Sequence, residues 1–72
     1  MFDTLTKDEA GQLLLRLASA AESSREYGRD LTRWMEATTD TGLRREYRFG
    51  AYAQADMRAE FRAIAFDLRQ AL

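Results

Sequence analysis

The chain has 72 residues, of which 46% are hydrophobic, 32% charged and 11% aromatic, a composition that fits a soluble globular domain and excludes collagen-like and compositionally disordered classes. Cysteine, histidine, proline, valine and asparagine are absent and isoleucine occurs once, which removes disulfide, thiolate and imidazole chemistry and most metal and triad mechanisms with them. Lys+Arg 11 against Asp+Glu 12 gives a formal net charge of −1, without the basic excess expected of a protein that lives on phosphate backbones.

Met1-Phe2-Asp3-Thr4 shows no cationic region followed by an apolar run, and no stretch approaches the roughly 18 consecutive apolar residues of a membrane span, so a cytoplasmic protein is expected. Ten of the eleven basic residues are arginine and twelve residues are alanine, usage that points to a GC-rich coding genome and a bacterial or phage origin. Below about 70–80 residues a single core rarely supplies more than a few kcal/mol. With neither a disulfide nor a recognisable metal site to compensate, oligomerisation is the expected device.

The β-branched residues are six threonines and one isoleucine, and five of the threonines (Thr4, Thr6, Thr38, Thr39 and Thr41) lie outside the periodic segments. Strands are therefore not expected. Thr6-Lys7-Asp8-Glu9 reads as a capping box, with Leu5 placed to staple onto Ala10, so the first helix is expected over about 7–37. Its apolar stripe runs through Ala10, Leu13, Leu14, Leu17, Ala20, Ala21, Tyr27, Leu31, Trp34 and Met35 at steps of three and four. Ser24 and Gly28 interrupt it, and a break near them would give three helices, but the stripe continues on both sides.

Thr38-Thr39-Asp40-Thr41-Gly42 gathers turn and cap residues and predicts a loop over about 38–41, with Asp40 or Thr41 capping a second helix over about 42–71. That helix carries Leu43, Tyr47, Gly50, Gln54, Met57, Phe61, Ile64, Leu68 and Ala71 on the same spacing. The expected fold is an all-α, antiparallel two-helix hairpin forming a single domain. Pairing positions whose numbers add to about 78 sets Leu31 on Tyr47, Gly28 on Gly50, Ala21 on Met57, Leu17 on Phe61 and Leu14 on Ile64, so that small faces large. The glycine layer either admits a ring or ligand, or marks a kink or a close approach of backbones.

Phe49, Tyr52, Ala59, Ala63 and Phe66 form a second stripe on the second helix, roughly opposite the first. Exposed rings mark an interface, and two hairpins packing as a homodimeric four-helix bundle would bury them. Tyr27, Trp34, Phe49, Tyr52 and Phe66 are the expected protein-interface anchors. Arg44, Arg48, Arg58, Arg62 and Arg69 share an edge of the second helix. That edge either grips phosphates or a partner's carboxylates, or pairs with Glu22, Glu26, Asp30 and Glu36 as a solvated face.

Asp56 and Glu60 lie one turn apart, but beside arginines they read as a surface charge network, and no nucleophile, base and orienter can be assembled. No catalytic, cofactor or metal site is expected. The function expected is that of a small non-enzymatic protein-interaction module, an adaptor, regulator or inhibitor acting as a homodimer on a protein partner. The alternative is a nucleic-acid-associated protein using the arginine edge, against which the net charge speaks, and no membrane association is expected because the polar faces mix acids with arginines.

Overall fold

A computed structural model describes residues 4–71, so Met1, Phe2, Asp3 and Leu72 lie outside the described residues. Two α-helices pack against each other as an antiparallel hairpin: α1, Lys7–Ala37, and α2, Thr41–Ala71, each of 31 residues. The molecule measures 51 × 16 × 14 Å with a radius of gyration of 16.0 Å. A compact domain of this length has a radius near 11 Å. The hairpin is therefore a rod two helices wide.

Local chemistry explains both starts. At α1 the Glu9 amide donates to Thr6 Oγ1 and the Thr6 amide donates to Glu9 Oε1, both at 3.1 Å, and Leu5 packs on the cluster that contains Ala10. Hydrogen bonding from Thr6 to the carboxyl, by its backbone amide first and its hydroxyl second, holds Glu9 below the usual glutamate range. At α2 the Leu43 amide donates to Asp40 Oδ1 and the Arg44 amide to the Asp40 carbonyl, each at 2.9 Å. Asp40 is thus the cap, and the helix takes in Thr41, one residue earlier than the pattern places it. The Asp40 amide in turn donates to Thr38 Oγ1 at 3.2 Å, and the Thr38 amide to the Trp34 carbonyl at 3.1 Å. Among the described residues no φ is positive, so the chain reverses through three residues without a left-handed position.

The seam departs from the expected one. The Cβ direction of Gly50 points to Leu31, whose Cδ1 lies 3.1 Å from where a methyl would sit, while that of Gly28 points to Gln54 Cβ at 3.4 Å and the Ala51 carbonyl at 4.0 Å. Trp34 stacks obliquely on Tyr47. The numbers in these pairs add to between 79 and 82 rather than 78, and the two glycines do not face each other. Instead of a ligand-sized layer, each admits the opposite helix, the close-approach reading.

The buried set follows from that approach. Ala10, Leu17, Ala21, Ser24 and Leu31 are buried on α1, Ala65 and Leu68 on α2. Tyr27 and Trp34, expected in the stripe of α1, are 49% and 46% exposed, while Met57 and Ile64, expected in that of α2, are 42% and 39% exposed. On α2 the inward face is turned toward Ala51, Arg58 and Ala65, which are more buried than their neighbours Met57 and Ile64. Small residues let the helix axes come close, and bulky ones are displaced onto the shoulders of the seam.

Thr6→Ala should destabilise the hairpin by about 1 kcal/mol, read from urea midpoints. Because the folded Glu9 carboxyl titrates below its unfolded value, its contribution is present above the ordinary glutamate range and lost as pH falls through the folded value. Glu9→Gln should therefore remove part of the acid sensitivity of the α1 start, measured by amide exchange at Lys7–Ala10. The glycines give a second test. A methyl at Gly11 meets nothing within 4 Å, so Gly11→Ala should raise the melting temperature by several degrees for a gain of up to about 1 kcal/mol. Gly50→Ala forces Leu31 aside and should stabilise less or destabilise.

Candidate interaction surfaces

Around the seam the rod presents two flanks and the backs of its two helices. On one flank, an open groove of about 570 Å³ runs between the helices, floored by Leu17, Ala21, Phe61 and Ala65 and edged by Arg58, Arg62 and Arg69 of α2 and by Glu22 of α1. A second, of about 310 Å³, continues it past Ser24, Gly28, Ala51 and Gln54, with Arg25 and Arg29 contributed by α1. Arg58 lines both grooves. Arg44 and Arg48 line a third depression at the start of α2 with Thr41 and Arg45.

At about 100° per residue, Arg44, Arg48, Arg58, Arg62 and Arg69 fall on the groove side of α2, and its four acids, Glu46, Asp56, Glu60 and Asp67, fall on the other. The structure thus brings the expected arginine edge together along one flank. It adds Arg25 and Arg29, which the sequence reading did not single out. Their signal was positional: they follow Ala21 and Ser24 by four and five residues, one step around α1 from its seam.

The expected pairing of this edge with acids of α1 is absent. Among the described residues the ion pairs are Arg25 with Glu22, at 3.3 Å, and Arg33 with Asp30, both within α1. None crosses the hairpin. Glu22 and Asp30 already meet bases three residues along their own helix, where less side-chain freedom is lost than in reaching across. The arginines of α2 therefore have no carboxylate partner within the described residues.

The opposite flank is apolar. Trp34 sits edge-on to Tyr27, ring centres 6.4 Å apart at 83°, and 6.0 Å from Tyr47 at 59°. Met57 and Ile64 lie on the side of α2 away from Arg58, Arg62 and Arg69, and so fall on this same flank, as does Leu43. The remaining rings are elsewhere: Phe49 and Tyr52, both 62% exposed, stand on the back of α2, and Phe66, 60% exposed, stands at the lip of the larger groove. Leu15, which the sequence reading did not single out, is bare on the back of α1. The five expected anchors are thus distributed over more than one surface.

Asp56 is exposed on the back of α2 and Glu60 is exposed between that back and the apolar flank, and among the described residues no three acidic side chains converge as metal ligands would. No described helix is long and apolar enough to cross a membrane. The chain matches no protein-family model, and no curated protein or solved structure is similar to it.

Since the outer arginines of α2 have no internal partner, Arg62→Gln and Arg69→Gln should each shift unfolding free energy by no more than about 0.5 kcal/mol. Urea denaturation checks this. A larger loss would mean that the side chain holds the hairpin together.

Proposed function

We propose that the chain is a small, non-enzymatic, cytoplasmic protein-interaction module, an adaptor, regulator or inhibitor of bacterial or phage origin. It acts as a homodimeric four-helix bundle on a protein partner. The observation that carries this reading is surface excess. The accessible surface is 5692 Å² for 8.3 kDa, whereas a compact monomer of that mass exposes about 4,600 Å². The buried hydrophobics are Ala10, Leu17, Ala21, Leu31, Ala65 and Leu68, half of them alanine, while nine larger apolar side chains are at least 39% exposed. So small a core leaves little margin over the conformational entropy of ordering two long helices.

Tyr27, Trp34, Phe49, Tyr52 and Phe66 supply the anchoring area of self-contact and partner contact together, and the arginine edge orients an acidic partner through charge complementarity. Sedimentation at tens of micromolar should give twice the chain mass; a folded monomer there contradicts the dimer. Tyr52→Ala and Phe66→Ala should weaken assembly or partner capture while leaving helicity intact by circular dichroism. Unchanged assembly and capture in both would sink the assignment of these rings.

The unpartnered arginines favour a second reading, in which the groove flank takes the phosphates of a nucleic acid. Binding of a labelled duplex at about 50 mM salt that falls by orders of magnitude at about 200 mM would support it. No binding at either salt would leave the protein partner.

A further inference from the structure

We infer that the apolar flank carrying Tyr27, Trp34, Leu43, Met57 and Ile64 is the face on which a second copy of this chain docks. The inference rests on the self-association proposed above and assigns the surface that performs it. Spacing is the first argument. On α1 the buried or half-buried column Ala10, Leu17, Ser24, Leu31 is accompanied on the apolar flank by Leu13, Ala20, Tyr27 and Trp34, which also recur every seven residues. On α2 the column Tyr47, Gln54, Phe61, Leu68 is accompanied by Leu43, Gly50, Met57 and Ile64 at the same interval. A single neighbour takes two such columns, and the hairpin seam already has its two, Leu14, Ala21 and Gly28 completing it on α1 and Ala51, Arg58 and Ala65 on α2. The flank column is a third, and three columns in seven give the wider face of a helix that packs against two neighbours in a four-helix bundle.

Exposure supports the same face. Tyr27, Trp34, Leu43, Met57 and Ile64 are covered on the side toward the hairpin seam and open on the other, between 39% and 49% exposed. The rings on the back of α2 are more exposed and stand among Arg45 and Asp56.

Area and charge separate the alternatives. A flank two helices wide on a rod of 51 × 16 Å has a footprint of about 800 Å², of the same order as the accessible surface one partner contributes to a standard-sized stable interface. The back of α2 is one helix wide and offers about half of that. The groove flank is wide enough, but its lining sets Arg25, Arg29, Arg58, Arg62 and Arg69 against the single carboxylate of Glu22, itself paired with Arg25, so a second copy there would bury guanidinium groups in excess of carboxylates, which is strongly unfavourable. Along the rim of the apolar flank both signs occur. Glu9 and Arg16 border it on α1, and Glu46, Glu60 and Asp67 border it on α2. Packing α1 against α2 of the copy sets Arg16 at the height of Glu60 and Asp67, whereas α2 against α2 would place acids across from acids. The bundle's two-fold axis therefore runs along the rod.

Trp34 is the chain's one tryptophan and lies on this face, so the unmodified protein reports on it. In the dimer, Trp34 should be shielded from acrylamide several-fold relative to the urea-unfolded chain, and the shielding should be lost on dilution at the midpoint where sedimentation shows dissociation. Met57→Glu should raise the dimer dissociation constant at least a hundredfold, and Tyr52→Glu should change it less than threefold. A dimer whose Trp34 is quenched as freely as in the unfolded chain, or one that Met57→Glu leaves intact and Tyr52→Glu dissolves, overturns the assignment of this face while self-association stands. A wild-type monomer at tens of micromolar overturns both. If Met57→Glu loses its helicity, the quenching of the unmodified dimer decides alone.

Discussion

Two helices of 31 residues lie close along a seam made mostly of small side chains, and the rest of the structure follows from that approach. Ala10, Ala21, Ser24 and Gly28 on α1 meet a face of α2 that includes Gly50, Ala51 and Ala65. Without bulk between the helices, backbone comes close to side chain, as at Gly50, where even a methyl would meet Leu31 Cδ1 at 3.1 Å, and dense packing replaces a thick apolar layer. Few large residues fit there; Leu17, Leu31 and Leu68 do, and Met57, Ile64, Tyr27 and Trp34 are pushed to the shoulder. The narrow seam and the exposed apolar flank have one cause.

The two flanks then make opposite demands on their surroundings. Tyr27, Trp34, Met57 and Ile64 gain free energy by leaving water, in proportion to the area covered. The guanidinium groups of Arg58, Arg62 and Arg69 lose hydration when covered unless carboxylates or phosphates replace the water. In the proposed assembly one flank meets its own copy and the other stays outside, doubled by symmetry on opposite faces of the bundle. Phe66, at the lip of the basic groove, would then offer a partner an apolar contact beside the charges, the combination that fits an acidic protein surface with a hydrophobic anchor point.

Much of this architecture was legible along the chain. The Thr6–Glu9 capping box works through atoms three residues apart, and the Asp40 cap is equally local, so neither depends on what the rest of the molecule does. The arginine edge was legible because five residues on one helix keep their mutual angles wherever that helix packs. The register was not. Shifting α2 by about three residues and turning it slightly carries one apolar column onto the next, and an alternating pattern of apolar residues scores both alike. What separates them is how near the helix axes can come, which depends on where Gly50 meets Leu31 and where Ala65 meets the core. Bulk in the sequence drew Met57 and Ile64 into the expected seam, where close packing favoured Ala51 and Ala65.

The order of amino acids by itself determined two capped helices, a three-residue reversal and the segregation of charge on α2, since each is set by neighbours within a turn or two of the same helix. Only the tertiary structure decided which apolar column is enclosed and which is left at the surface, that Arg25 and Arg29 join the arginines of α2 along one groove, and that the carboxylate α1 brings to its lining, Glu22, pairs with Arg25 rather than with them. Those outcomes depend on the rotation and spacing of one helix against the other, quantities that arise from the fit of both surfaces at once and are carried by neither helix alone.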